Sequence, residues 1–109
     1  GWEYLSRQLN DVVCDNMYIV FGLVEDKDVD GVMALLPKHA TYFFTKANNK
    51  RALSERVVHM MGQQLGLEGE AYPTVTEAYA AAKSKAEEGD FVFIGGSSYV
   101  VAEFLKNCV

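Results

Sequence analysis

A chain of 109 residues, half of them apolar and 23% charged, is long enough for one domain around one hydrophobic core and too apolar to stay unfolded. Ten basic against fifteen acidic side chains leave a formal net charge of −5, which removes the basic footprint of a nucleic-acid binder and disfavours anionic membrane surfaces. Cys14 and Cys108 stand far apart without metal-ligand spacing and read as reduced thiols of a cytoplasmic protein rather than as a disulfide.

Trp2, Leu5 and Leu9 recur at helical spacing, so residues 1–10 read as a short helix. Asn10 and Asp11 mark a loop. Residues 17–21, Met-Tyr-Ile-Val-Phe, form an unbroken apolar run closed by Gly22, the pattern of a strand buried on both faces. Val29, Val32, Met33 and Leu36 predict a helix that Pro37 stops. Residues 40–45 predict the next strand. Ser54 and Glu55 open a helix through Leu65, with Gly66 as its stop. A short strand is expected near residues 70–72. Thr74 with Glu77 is a capping box ahead of a buried stripe of Val75, Ala78, Tyr79 and Ala82, and Gly89 is expected to end that helix. Residues 91–94 predict the last strand, and residues 95–98, Gly-Gly-Ser-Ser, turn into a final helix carrying Val100, Val101, Phe104 and Leu105. Strands alternating with helices imply an α/β fold, a mainly parallel sheet with helices on both faces.

Ligands of an open parallel sheet bind beyond the carboxyl ends of its strands. Three segments fall there: residues 22–28, 45–51 and 95–99. In the first, Lys27 is flanked by Asp26 and Asp28 just before a helix; on its own that is more often a solvated charge cluster than a site. The second holds Lys46, Lys50 and Arg51, the most basic stretch of an acidic chain, which suits an anionic ligand as readily as a plain polar loop. The third joins two glycines, the hydroxyls of Ser97 and Ser98 and the first N–H groups of a helix. That is a seat for a carboxylate, or a glycine turn with a serine cap. The sequence contains neither GxxxxGK[ST] nor GxGxxG, and His39 and His59 have no Cys or carboxylate at ligand spacing. No metal site, catalytic triad or standard nucleotide-phosphate loop is expected.

Taken together, Val-Phe-Gly-Leu-Val-Glu-Asp-Lys-Asp-Val (residues 20–29), Tyr-Phe-Phe-Thr-Lys-Ala (42–47) with Arg51-Ala52-Leu53, and Val-Phe-Ile-Gly-Gly-Ser-Ser-Tyr-Val-Val (92–101) resemble the C-terminal domain of bacterial folylpolyglutamate synthase/dihydrofolate synthase, in the Mur ligase superfamily. The likeness covers nearly the whole chain. It implies a Rossmann-like domain, residues 1–109, cut from a longer two-domain ligase whose N-terminal ATPase domain carries the phosphate loop. Such an enzyme uses ATP and Mg²⁺ to turn a pteroate or folate carboxylate into an acyl phosphate, which the amine of L-glutamate attacks. The resemblance implies that Lys27 neutralises a glutamate carboxylate, that Ser97 hydrogen-bonds one and that Tyr99 lies beside them, with Lys46 and Arg51 as further anion contacts. Two carboxylates call for a fixed cation and oriented donors.

One departure stands out. The family's Asp-x-x-His-Asn motif, whose aspartate is expected to touch the nucleotide ribose, has no counterpart here, and the chain starts at Gly1-Trp2, already inside an apolar pattern. The reading is therefore of a piece that lacks the sheet's first strand, binds no cofactor and turns over no ATP alone. Since the first strand of a doubly wound sheet is usually interior, its loss is expected to leave two strand edges facing a gap, or a narrowed sheet, with self-association through the unpaired edge. Another Mur-type amino-acid ligase is the nearest alternative. A receiver-like domain fits less well, because Gly95-Gly96-Ser97 stands where its lysine should be, and an α/β interaction module is not excluded by fold alone.

Overall fold

A computed structural model describes residues 2–25 and 28–109. Among them helices and strands alternate: α1 (Trp2–Asp11), β1 (Met17–Phe21), α2 (Val29–Ala34), β2 (Thr41–Phe44), α3 (Glu55–Gln64), β3 (Glu68–Ala71), α4 (Val75–Lys85), β4 (Phe91–Gly95) and α5 (Ser98–Asn107). The four strands form one sheet in the order β3-β2-β1-β4. Every neighbouring pair is parallel, with Phe21 level with both Phe44 and Gly95.

The period-two alternation of the central strands sorts their side chains onto two faces. Met17, Ile19, Phe21, Tyr42 and Phe44 pack with Leu9 of α1, Met33 of α2 and Val58 of α3. Val20 and Phe43 point the other way, onto Ala78 and Ala82 of α4. Small residues on α4 let that helix lie close to the sheet, while the opposite face is filled by aromatic rings. Phe21 meets Tyr42 edge-on at 6.5 Å, and Tyr42 stacks on Phe44 at 5.4 Å. His59, which has no metal-ligand spacing in the sequence, lies within α3. It stacks on Phe44 at 5.6 Å, and its Nε2 is buried without a hydrogen-bond partner.

The predicted elements are all present, with some ends shifted. Asn10 and Asp11, expected in a loop, form the last residues of α1, the Asn10 side chain bonding back to the Ser6 carbonyl. α2 stops at Ala34, short of Leu36, because the residue before a proline is driven out of the helical region. β3 lies two residues upstream of its expected start, since pairing with β2 puts Glu68 opposite Thr41, although Tyr72 N–H still donates to the Phe44 carbonyl at 2.7 Å. α4 ends at Lys85, with Ala86 already extended, so Gly89 belongs to the turn before β4 rather than to the helix end. The Thr74 cap forms: its Oγ1 accepts from Glu77 N–H at 3.1 Å. Cys14 and Cys108 are free. No described helix is long and apolar enough to cross a membrane.

Of the two arrangements expected, strands facing a gap or a narrowed sheet, the structure has the narrowed one. β1 pairs with β2 on one side and with β4 on the other, so among the described residues the sheet is continuous, with β3 and β4 outermost. Strand order is set by which strands find mutual burial, and an interior place for a first strand was an analogy with other doubly wound sheets.

Tyr42 is fully buried, and its hydroxyl donates to the Pro37 carbonyl at 2.6 Å. Tyr42→Phe is expected to cost about 1–3 kcal/mol by leaving that carbonyl unsatisfied, read from urea unfolding at neutral pH. Burial also pushes the phenol above its ordinary value of 10.0. A group whose pKa is raised by folding contributes fully below the unfolded value and loses that contribution as pH climbs towards the folded one. The native chain should therefore lose stability above about pH 10, and the Tyr42→Phe variant should lose less over the same range.

Candidate functional site at the carboxyl ends of the strands

β1, β2 and β4 end level with one another, and their trailing loops are tied together by main-chain bonds. Thr45 N–H donates to the Phe21 carbonyl at 2.8 Å, and Gly22 N–H to the Gly95 carbonyl at 3.3 Å. Beyond the sheet the first two loops form a small antiparallel bridge, Val24 opposite Ala52. Glu25 N–H donates to the Arg51 carbonyl and Leu53 N–H to the Leu23 carbonyl, both at 2.8 Å.

Arg51 also reaches back with its side chain: Nη2 donates to the Glu25 carbonyl at 3.0 Å. A guanidinium has five donors in a fixed fork, so this bond sets the direction of the group while leaving it donors for an anion. Asn49 shapes the turn that presents it, its Oδ1 accepting from Arg51 N–H at 2.8 Å. Arg51 is exposed. It thus sits against the chain that leads into residues 26 and 27. Lys27, to which the family resemblance gives a glutamate carboxylate, lies outside the described residues.

The third loop is built by close backbone approach. Gly96 has φ of +103°, and a Cβ there would overlap the Gly22 carbonyl oxygen. A Cβ on Gly22 would in turn stand 2.6 Å from the Thr45 carbonyl oxygen and 2.9 Å from Val100 Cγ2. Two facing glycines therefore let three loops converge on one point. Ser97 follows in an extended conformation as the N-cap of α5, its Oγ accepting from Val100 N–H at 3.3 Å. Both sequence alternatives hold at once, because a capping hydroxyl still has its proton to donate to a carboxylate. α5 runs from Ser98 to Asn107, long enough for the dipole and free N–H groups of its first turn to favour negative charge.

Ser97 lines a trough of about 480 Å³ with Trp2, Leu5, Phe93, Ile94 and Val101. Tyr99, on the first turn of α5, is 46% exposed. Lys46 goes elsewhere. It lines a separate cavity of about 560 Å³ with Thr74, Thr76, Glu103 and Lys106, on the α4–α5 side. Arg51 and Ser97 thus border the loops that meet at Gly22 and Gly96, and Lys46 does not share a cavity with Ser97. Sequence reasoning missed two props of this end of the sheet: the Gly22–Gly96 contact, and Glu103, whose Oε1 accepts from Asn48 N–H at 2.8 Å. The isolated glycine ending β1 and the Gly-Gly pair ending β4 were the only signals for the first; the second had none. Among the described residues, no three His, Cys, Asp or Glu side chains gather as metal ligands.

Residues 2–98 match the family described as the Mur ligase, glutamate ligase domain. This chain belongs to that family. It is 27% identical over 105 residues to a dihydrofolate synthase/folylpolyglutamate synthase of Buchnera aphidicola, covering 94% of this chain and 25% of that protein. Its fold matches that of E. coli FolC in complex with DHPP and ADP, with a TM-score of 0.84 at 23% identity over 96% of this chain and 25% of the other. It also matches a bifunctional folylpolyglutamate synthase/dihydrofolate synthase solved with Mn, AMPPNP and L-glutamate bound, with a TM-score of 0.76 at 20% identity over 99% of this chain and 26% of that one. The chain spans about a quarter of the length of each of these relatives. The glutamate ligase domain thus has an all-parallel four-stranded sheet here, with α1 to α3 packed on one face and α4 and α5 on the other.

Proposed function

We propose that this domain is the glutamate-seating part of a two-domain, ATP-dependent folate ligase of the cytoplasm, an enzyme that joins L-glutamate to a folate or pteroate carboxylate. The observation that carries the reading is the convergence of three strand-end loops, with Ser97 at the start of α5 in one and Arg51 fixed by the Glu25 carbonyl in another. Lys27 follows Glu25 by two positions in the same loop sequence. In this reading Lys27 neutralises one carboxylate of glutamate, Ser97 donates its hydroxyl to a carboxylate, and Tyr99 and Arg51 border the same ligand. Lys46, in its separate cavity, makes at most a peripheral anion contact.

The described residues offer no cluster that suits Mg²⁺, and the sequence has no phosphate loop. ATP and the metal are accordingly assigned to the N-terminal ATPase domain of the complete enzyme, and the acyl phosphate forms there. What this domain supplies is position. Holding both glutamate carboxylates fixes where the amine points, and an oriented nucleophile removes much of the entropic cost of a two-substrate reaction. The free cysteines accord with a reducing compartment.

The test is steady-state kinetics of the complete enzyme. Lys27→Ala is expected to raise the KM for glutamate about tenfold to a hundredfold, about 1.4–2.7 kcal/mol, with the KM for ATP within about twofold of the parent. Ser97→Ala should act in the same direction and also lose about 1 kcal/mol of stability with its cap. An unchanged glutamate KM in both variants would remove these residues from the substrate.

A further inference from the structure

The loop that carries Arg51 is fixed to the sheet at its two ends. Thr45 N–H donates to the Phe21 carbonyl and Leu53 N–H to the Leu23 carbonyl, both at 2.8 Å. Between them Ala47 is buried against Val75 and Val100. The turn through Asn49, whose Oδ1 accepts from Arg51 N–H, is internal to the loop: it shapes the loop without placing it. Two sets of hydrogen bonds reach it from elsewhere in the chain. Those between Arg51 and Glu25 join it to another loop. The bond from Asn48 N–H to Glu103 Oε1, at 2.8 Å and across 55 residues of sequence, joins it to a helix.

That helix is α5, which also presents Ser97 as its N-cap. Glu103 stands six residues further along, about 9 Å down the axis, and α5 is seated on the sheet side by the buried Val100. Ser97 and Glu103 therefore move as one body. An ionised carboxylate accepting from a backbone N–H makes one of the stronger hydrogen bonds available to a partly exposed side chain, and Glu103 is half-buried.

We propose that Glu103 is a positioning residue of the glutamate seat. By holding Asn48 it fixes the Arg51 loop against the helix that carries Ser97, and so sets the spacing of two groups that come from different elements. The inference rests on the reading that Ser97 and Arg51 border one glutamate. A ligand with two carboxylates is bound well only when its partners are already at the right separation; a loop that must be ordered on binding subtracts that ordering from the affinity. A different role for Glu103 would be to neutralise Lys46 and Lys106, which line the same cavity. The two roles ask for different chemistry. The hydrogen bond needs an acceptor oxygen at the reach of a glutamate side chain, and neutralisation needs charge.

Three variants of the complete enzyme separate them. Glu103→Ala removes acceptor and charge, Glu103→Gln keeps the acceptor without the charge, and Glu103→Asp keeps the charge but ends one methylene short. The alanine and aspartate variants are expected to raise the KM for glutamate about threefold to tenfold, with the KM for ATP within about twofold of the parent. The glutamine variant should stay close to the parent. Hydrogen exchange across residues 46–52 should quicken in the first two and not in the third. A glutamate KM that Glu103→Ala leaves unchanged while Ser97→Ala raises it overturns the inference and leaves the seat standing. If Glu103→Ala, Ser97→Ala and Lys27→Ala all leave it unchanged, the seat falls and the inference with it. Restoration by aspartate rather than glutamine, or equal rises in the KM values for glutamate and ATP, also overturns it.

Discussion

Replacing Gly96 with alanine is expected to cost the domain about 2–5 kcal/mol, the sum of the strain of a side chain at positive φ and the overlap it creates. At φ of +103° an L side chain is disfavoured in any surroundings, and here the new methyl would enter the Gly22 carbonyl oxygen. Neither partner of that clash is a flexible side-chain end. Gly22 is itself held by its N–H to the Gly95 carbonyl and pressed against the Thr45 carbonyl and Val100, so relief would have to come from moving β1 away from β4. Gly66 provides the comparison. Its φ is +80°, but nothing lies within 4 Å of the position of a Cβ. Gly66→Ala therefore bears the conformational cost alone, about 1 kcal/mol. Urea unfolding of both variants separates strain from overlap, with the midpoint falling much further for Gly96→Ala at a similar slope. Equal losses would mean that the loops of β1 and β4 do not touch. For a domain of this size, with a total stability of about 5–15 kcal/mol, the larger loss is a substantial part of the whole, and Ser97, directly after Gly96, would be displaced with it.

How far the site was legible follows from which forces are local. The run Met-Tyr-Ile-Val-Phe announces a strand buried on both faces, and β1 is one, with Met17, Ile19, Val20 and Phe21 inaccessible. Thr74 three residues before Glu77 announces a helix start, and the hydrogen bond is made. These patterns concern neighbours in sequence, so the sequence contains them. β3 was misplaced because Glu-Gly-Glu-Ala has little strand propensity of its own and is held extended by β2. The choice between a gap and a narrowed sheet stayed open for a related reason: nothing local to β1 or β4 says that they lie side by side. The same division runs through the site. Gly96 and Ser97 were legible as a turn and a cap. That Gly96 leans on Gly22, or that Arg51 bonds the Glu25 carbonyl, depends on two loops that only the sheet brings together. Lys46 and Arg51, five residues apart, read as one basic patch, yet the turn through Asn48 and Asn49 separates them, and Lys46 lines a different cavity from Ser97.

Phe44→Ala should be at least as damaging as Gly96→Ala, about 3–5 kcal/mol from lost burial and the cavity left behind. The ring is fully buried between Tyr42, stacked on it at 5.4 Å with planes 7° apart, and His59 at 5.6 Å. On its third side is α3, where Gly62 makes room: a Cβ at that position would lie 2.6 Å from Phe44 Cζ. Gly62 sits inside a helix, where alanine would ordinarily gain about 1 kcal/mol, so the glycine is kept by the ring and by nothing in the helix itself. This predicts a reversal of sign. In the native background Gly62→Ala should destabilise, because overlap with a ring clamped on both faces outweighs the helical gain by about 1 kcal/mol. In a Phe44→Leu background, where the side chain ends short of α3, the same change should stabilise by about 1 kcal/mol. The four unfolding free energies then close a cycle with a coupling of about 2 kcal/mol. A coupling near zero would mean that Phe44 and α3 are not in contact. The stakes extend to the loops, since the Phe44 carbonyl accepts from Tyr72 N–H, and Thr45, the next residue, donates to the Phe21 carbonyl. The ring that fills the core also holds the end of β2 level with β1, and from that end the chain runs to Arg51.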